Sequence, residues 1–476
     1  MIENSLTGVW NGTIFVQSMP LMLLAHFFLN GDEIAGYLDI PMQNLSKIRI
    51  DIFEMKNQRI IFNATTIKLS FNGIEKNSKL NGIISRQFID FPIEFEKIKN
   101  KTEYAVNRPQ TPKRPFNYVD EQVVIRNNKA NLILSEKFTY PKSQQPIASV
   151  VLCLGAGALD RDEEAFNHKP FMVIADFLTN NNIAVLRYDE RGVRNSTGDF
   201  SSATDTDFAD DAIAAIEYLK KRKETKNSHL RIIGHSNGTM KAMIASNNSK
   251  LVEFIVLLGS VGVNPGDVLY EQIKGILIAQ NVSENILKIN TDSLLRTIEI
   301  IKKEKDNRIV RQQVEEYFKD KIASVSDKDK KDFQNNMETS LLTLDDLTSP
   351  WFRSAFRFEP FDVLSKTKIP VLGIWGMKDL NAAPSQNLNP TRVALETAKN
   401  ENFKLITFDG LNHLFQKSKT GLPNEYGLLE ETFSTEVLHV INDWIHEINS
   451  YSKVNSTYDF LKFIFSKIFN FFLNLF

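Results

Sequence analysis

From Val119 onward the chain alternates short, almost wholly apolar runs with longer segments of helical periodicity, and this rhythm constrains the fold more than any other feature. Val119 to Arg126 and Asn131 to Thr139 predict an opening hairpin. The runs Ala148 to Leu154, Ile183 to Tyr188, Leu230 to Gly234, Phe254 to Leu258, Val371 to Trp375 and Lys404 to Phe408 then follow. Helical stretches separate them, notably Phe166 to Asn180, Asp207 to Lys223 and Gly238 to Ser246, and another, Glu425 to Ile448, comes after the last run. Strands without polar alternation have both faces buried, which requires helices above and below a mostly parallel sheet. An α/β domain over residues 117–450 is therefore expected. Polar helices over about 264–361, between the sixth and seventh strands, read as a helical cap above the sheet's carboxyl edge.

The first hundred residues follow a different pattern. Gly12 to Phe15, Leu21 to Leu29, Ile34 to Leu38, Ile48 to Phe53, Ile60 to Phe62 and Thr66 to Phe71 are β-rich, with turn signals such as Asn30-Gly31-Asp32 and Asn72-Gly73 between them. Residues 1–106 thus predict an all-β domain, a sandwich or a barrel. Pro109, Pro112 and Pro115 lie close together among basic residues, and residues 107–116 read as a Pro-rich, semi-rigid linker.

Composition narrows the classes of function. Lys and Arg total 57 against 58 Asp and Glu, so there is no basic excess of the kind that nucleic-acid binding uses. A single cysteine, Cys153, excludes an internal disulfide and any cysteine-based metal cluster. No metal or cofactor is expected. The start, Met-Ile-Glu-Asn-Ser, lacks the basic region of a secretory signal, and no uninterrupted apolar run reaches the length of about 18 residues that marks a membrane span. A cytoplasmic location is expected.

Gly234-His235-Ser236-Asn237-Gly238 sits between the β-run Leu230 to Ile233 and a helical pattern. In that context a G-x-S-x-G segment forms a sharp elbow that exposes the serine, so Ser236 is the candidate nucleophile. A serine hydroxyl needs a base, usually a histidine oriented by a carboxylate. Of the seven histidines, His26, His168, His229, His235, His439 and His446 read as packing or surface residues. His413, on the loop after the last apolar run, is the candidate base. Asp379 follows the strand Val371 to Trp375 and completes the order Ser236, Asp379, His413; Asp409 is the rival acid. For the oxyanion, one donor is expected from the Asn237 backbone N–H. The other is expected from Leu154-Gly155-Ala156-Gly157-Ala158, with Ala156 preferred and Gly157 second.

With these residues in place, the chain resembles the α/β-hydrolase esterases that carry an N-terminal β-domain, the bacterial EstD-type carboxylesterases. The shared segments are Asp160-Arg161-Asp162-Glu163 with His168-Lys169-Pro170, Leu186 to Val193, the elbow, Ser349-Pro350-Trp351-Phe352-Arg353, and Leu411 to Gln416. The resemblance implies hydrolysis of small-molecule carboxylic esters of modest acyl length through an acyl-enzyme, without a metal. Relatives usually carry glutamate and glycine where this chain has Asn237 and Thr239, and Gly-Ser-Gly-Pro in place of Gly155 to Ala158. Those departures change the charge near the acyl site and leave the backbone donors intact. Arg161, Asp162 and Arg191 are expected to hold loops by salt bridges.

Rival readings are an acyl-CoA thioesterase or acyltransferase, a serine peptidase, and a noncatalytic binding protein on a hydrolase scaffold. Over residues 451–476, the stretch Tyr458 to Phe476 holds seven Phe and gathers Asp459, Lys462, Ser466, Lys467, Asn470 and Asn474 on one side of a helix. An amphipathic tail with peripheral membrane contact is expected. Nothing in the sequence sets an oligomeric state.

Overall fold

The computed structural model describes residues 6–450 apart from 17–18, 32, 41–44, 57, 87–88, 99–106, 280–281, 325 and 327–346. The amphipathic stretch 451–476 lies outside the described residues.

The β-rich N-terminal segment forms nine antiparallel strands: β1 Gly8–Val16, β2 Met19–Asn30, β3 Glu33–Ile40, β4 Leu45–Arg49, β5 Ile52–Lys56, β6 Arg59–Ala64, β7 Leu69–Lys76, β8 Lys79–Arg86 and β9 Ile89–Lys97. Their order is β4-β3-β2-β1-β9-β8-β7-β6-β5. Strands β4 and β5 therefore lie at opposite edges although only two residues separate them in sequence. The crossing residues join the edges: Ile50 N–H donates to Gly36 O on β3 at 3.0 Å, and Asp51 N–H donates to Asn63 O on β6 at 2.8 Å. The wall is barrel-like. Its interior is filled by side chains, with Trp10, Leu23, Phe62, Phe71, Leu80 and Phe95 all fully buried.

Two local expectations change here. Ile48 to Phe53 is not one strand, because the crossing at residues 50–51 divides it into β4 and β5. Asn72-Gly73 is not a turn: β7 runs through it, and the turn to β8 is made by Asn77 and Ser78, both left-handed with φ of 53° and 60°. Gly73 faces Gly82 across the strand pair, and a Cβ at Gly73 would collide with the Phe71 ring and the Asn81 carbonyl. The glycine serves packing.

The second sheet contains β10 Tyr118–Asn127, β11 Leu132–Pro141, β12 Ala148–Cys153, β13 Ile183–Tyr188, β14 His229–His235, β15 Phe254–Leu258, β16 Val371–Gly376 and β17 Phe403–Phe408. The order is β10-β11-β13-β12-β14-β15-β16-β17, antiparallel through β10, β11 and β13 and parallel thereafter. This is the α/β-hydrolase arrangement. Helices α1 Pro170–Asn180, α2 Asp205–Lys221 and α3 Gly238–Asn248 cover it, and alternate residues of β12 decide the faces. Val151 and Cys153 pack with Ala209, Ala212 and Ala242 from α2 and α3. Val150 and Leu152 pack with Phe171 and Ile174 of α1 and with Val437, Ile441 and Trp444.

Between β15 and β16 lie α4 Pro265–Ala279, α5 Glu284–Lys303, α6 Asn307–Ser324, α7 Pro350–Arg357 and α8 Pro360–Leu364. After β16 come α9 Pro384–Thr397 and, past β17, α10 Pro423–Tyr426. The expected helix Glu425 to Ile448 is interrupted: α10 stops at Tyr426 and a new helix, α11, covers residues 435–450. The intervening backbone is occupied elsewhere, since Gln110 Oε1 accepts the Thr432 and Phe433 N–H groups and Gln110 Nε2 donates to Phe433 O at 2.7 Å.

Phe71 stacks on Phe62 with ring centroids 4.9 Å apart and meets Phe95 edge-on at 5.6 Å. Phe71→Ala is expected to cost about 3–5 kcal/mol, as truncation of a buried aromatic does. Amide hydrogen exchange should show it as faster exchange in β6, β7 and β8 without a matching change in β12 to β15.

Candidate active site

Strand β14 ends at His235 and α3 begins at Gly238, so the chain must reverse within Ser236 and Asn237. Ser236 adopts a left-handed φ of 53°, which costs a non-glycine residue roughly 1–2 kcal/mol. Its N–H donates to Leu258 O at 2.9 Å, and Thr239 Oγ1 donates to its carbonyl at 2.7 Å. The two flanking glycines are steric requirements. A Cβ on Gly234 would strike the Gly238 carbonyl, and one on Gly238 would strike the Cys153 carbonyl.

The Ser236 hydroxyl lies 2.9 Å from His413 Nε2, and His413 Nδ1 lies 2.8 Å from Asp379 Oδ2. These three residues come from the ends of β14, β16 and β17. Asp379 Oδ1 accepts the N–H groups of Asn381 and Ala382, each at 2.8 Å. Burial alone would raise its carboxyl, but the His413 partner and the two amides hold it below the usual carboxylate range. Asp409, the rival acid, is exposed. Gly259, at the end of β15, makes room for the assembly: it has a φ of 58°, and a Cβ there would sit 3.2 Å from the His413 ring.

Gly155 packs against the elbow, where an added Cβ would meet the Ser236 Cβ at 3.4 Å. Ala156 is exposed beside it, and Gly157 takes a φ of 108°. Among the described residues, neither the Ala156 nor the Asn237 amide donates a hydrogen bond within the protein. Both remain available to an external acceptor. The Asn237 side chain is held by Asp205, whose Oδ1 accepts from Nδ2 at 3.1 Å, while Asp205 Oδ2 accepts from Ser354 Oγ on α7 at 2.9 Å. Burial raises the Asp205 carboxyl despite these donors.

Sequence alone gives His235 a packing role, and the structure places it against the site. Its Nδ1 lies 3.0 Å from Glu163 Oε2, and its Nε2 donates to the His413 carbonyl at 2.9 Å. Acceptors at both ring nitrogens favour the protonated form of His235. Burial pulls its pKa down, but Glu163 and the His413 carbonyl prevail and raise it. Glu163, Glu190 and Lys241 were also without an assigned role, although the first two fall in the segments that carry the family resemblance. The expected loop pairs are present: Arg161 Nε donates to Asp189 at 2.9 Å, Asp162 pairs with Arg187, and Arg191 Nε donates to Asp211 at 2.8 Å. Among the described residues there is no group of three or more His, Cys, Asp or Glu able to hold a metal ion, and no helix is long and apolar enough to cross a membrane.

A family model described as serine aminopeptidase, S33, matches residues 168–417, a span that includes Ser236, Asp379 and His413. Esterase EstD of Thermotoga maritima is 25% identical over 385 residues, covering 80% of this chain and 75% of its own. Among solved structures, an esterase of Pyrococcus furiosus aligns with 72% of this chain and 98% of its own at 15% identity and a TM-score of 0.41. The proline iminopeptidase of Mycobacterium smegmatis aligns with 70% of this chain and 100% of its own at 16% identity and a TM-score of 0.42.

The ionised Asp379 carboxylate stabilises the fold at any pH above its unfolded value of about 3.9, and that contribution disappears as pH falls through its lower folded pKa. Asp379→Asn is thus expected to lower the urea midpoint at neutral pH. The gap from wild type should narrow as the pH is lowered below about 3.9, when measured by parallel denaturation curves.

Proposed function

The chain belongs to the serine aminopeptidase S33 family of α/β-hydrolases, and from that premise we propose that it hydrolyses carboxylic esters of modest acyl length through an acyl-enzyme on Ser236. The observation that carries this reading is the unbroken contact from the Ser236 hydroxyl to His413 at 2.9 Å and on to Asp379 at 2.8 Å, with the serine raised on a left-handed elbow. The likeness to an esterase over most of the chain favours an ester as the substrate.

In this mechanism His413 Nε2 takes the Ser236 proton as Oγ attacks the ester carbonyl, and Asp379 stabilises the imidazolium that forms. The carbonyl oxygen becomes an oxyanion facing the Asn237 and Ala156 N–H groups. Collapse expels the alcohol, which receives its proton from His413. Water then repeats the attack on the acyl-enzyme, with His413 again as base, and releases the carboxylic acid and free Ser236. The reaction needs no metal, because the two amides and the imidazole carry the charge and the proton.

Cleavage of an aminoacyl amide is the second reading, favoured by the description of the family itself. The same triad serves both, and the leaving group separates them.

A fluorophosphonate probe should label the native protein, with labelling lost in Ser236→Ala and His413→Ala and turnover falling by about 10⁴-fold or more in each. Labelling that persists in Ser236→Ala would overturn the assignment. A panel of aryl esters, acyl-CoAs and aminoacyl amides should show turnover concentrated in the short and medium aryl esters. Preference for aminoacyl amides would instead establish the peptidase reading.

A further inference from the structure

The direction in which an oxyanion-loop amide points is set by the peptide planes around it, and a donor aimed away from the developing charge contributes little. The plane preceding the one that carries the Ala156 amide is gripped at both ends. The carbonyl of the Leu154–Gly155 peptide accepts from Lys241 Nζ at 2.9 Å, and the N–H of the same peptide donates to Glu163 Oε1 at 2.7 Å. A positive charge thus faces the negative end of the peptide dipole and a negative charge faces its positive end.

Each gripping group is half of a buried ion pair. Lys241 Nζ lies 2.5 Å from Glu190 Oε1, with the two side chains 1% and 0% exposed. Glu163 pairs with His235 at 3.0 Å, with exposures of 6% and 7%. Flipping the peptide would set both charges against like ends of the dipole, in surroundings where such contacts are weakly screened. The second pair also reaches the base, since His235 Nε2 donates to the His413 carbonyl.

We propose that Glu190–Lys241 and Glu163–His235 act together as an electrostatic clamp that orients the Leu154–Gly155 peptide, and through it the Ala156 amide, for oxyanion binding. The clamp rests on the serine-hydrolase reading above and adds four positioning residues to it. His235 ties the same clamp to the loop that carries the base, so the donor and the proton acceptor share one rigid mount. None of the four touches the reacting atoms.

A purely structural role makes a different prediction. Buried ion pairs add little net stability over apolar residues of similar volume, so an apolar replacement of a whole pair should then be silent. The test is the double substitution Glu190→Leu with Lys241→Met, which removes both halves of the pair together, and Glu163→Gln, which keeps an amide oxygen within reach of Gly155 N–H. Each variant is assayed for thermal midpoint, for kcat and KM on the fastest aryl ester, and for inhibition by a trifluoromethyl ketone of the same acyl chain. The clamp predicts that kcat falls about 10- to 100-fold while KM changes little, and that ketone affinity falls by a matching factor. Wild-type kcat and ketone affinity in both folded variants would overturn it. Should the double variant fail to fold, Glu163→Gln decides by the same criteria. Absence of fluorophosphonate labelling in the wild type would defeat the serine reading itself, whereas a labelled wild type with kinetically silent variants defeats the clamp alone.

Discussion

The geometry of the site depends on one backbone contact, the close passage of Gly238 over the end of β12. The helix that follows the elbow can pack there only because position 238 has no side chain to meet the Cys153 carbonyl. That contact brings the Leu154–Gly155 peptide beside Ser236 and places Lys241, one turn into α3, under the same peptide. It also forces the left-handed turn at Ser236. Strain of this kind persists only where surrounding bonds over-determine it, and here Leu258 O and Thr239 Oγ1 do so. Thr239 secures the elbow carbonyl with its side-chain hydroxyl.

The other components follow from the sheet. Strands β14, β16 and β17 run parallel, so the loops at their carboxyl ends emerge on one edge and bring together residues remote in sequence. The helical segment between β15 and β16 is attached to that edge by defined bonds. Ser354 on α7 bonds Asp205, which holds the side chain of Asn237, the residue that follows Ser236. Helix α7 is thereby linked to the residue proposed to supply an oxyanion donor.

How much of this was legible in the sequence depended on whether a residue's role is local. The parallel sheet, the elbow and the order Ser236, Asp379, His413 were readable because apolar runs, glycine spacing and chain order are local or topological signals. Asn72-Gly73 misled because the glycine answers to Gly82 on the neighbouring strand, a contact with no trace in the flanking residues. The continuous helix Glu425 to Ile448 misled because a glutamine more than three hundred residues earlier, Gln110, occupies the backbone of Thr432 and Phe433. His235 was unreadable for the same reason. Its partners, Glu163 and the His413 carbonyl, are 72 and 178 residues away, and a histidine inside a buried strand end carries no sign of them.

The segment 107–116 shows how far the mount of His413 extends. Pro109, Pro112 and Pro115 keep it out of any strand, as expected, yet it is bound closely to the α/β layer. Arg108 donates to the carbonyls of Leu429, Phe166 and Gly427 at 2.7, 2.9 and 2.8 Å, and Gln110 fixes the two residues that precede Ser434. The segment so held contacts both ring nitrogens of His168, Thr432 Oγ1 at Nδ1 and Tyr426 O at Nε2, and Gln416 Nε2 donates to Glu431 O at 2.9 Å. Burial, reinforced by the Arg108 charge, lowers the His168 pKa to about 4, so this histidine stays neutral at physiological pH and can accept on one ring nitrogen while donating on the other. Gln416 in turn locks Asn412, through Asn412 N–H to Gln416 O at 3.0 Å and a side-chain contact of 3.0 Å. Asn412 directly precedes His413. His413 is thus held from one side by the Glu163–His235 contact and from the other by hydrogen bonds that run from Arg108 and Gln110 through residues 426–433 and Gln416 to Asn412.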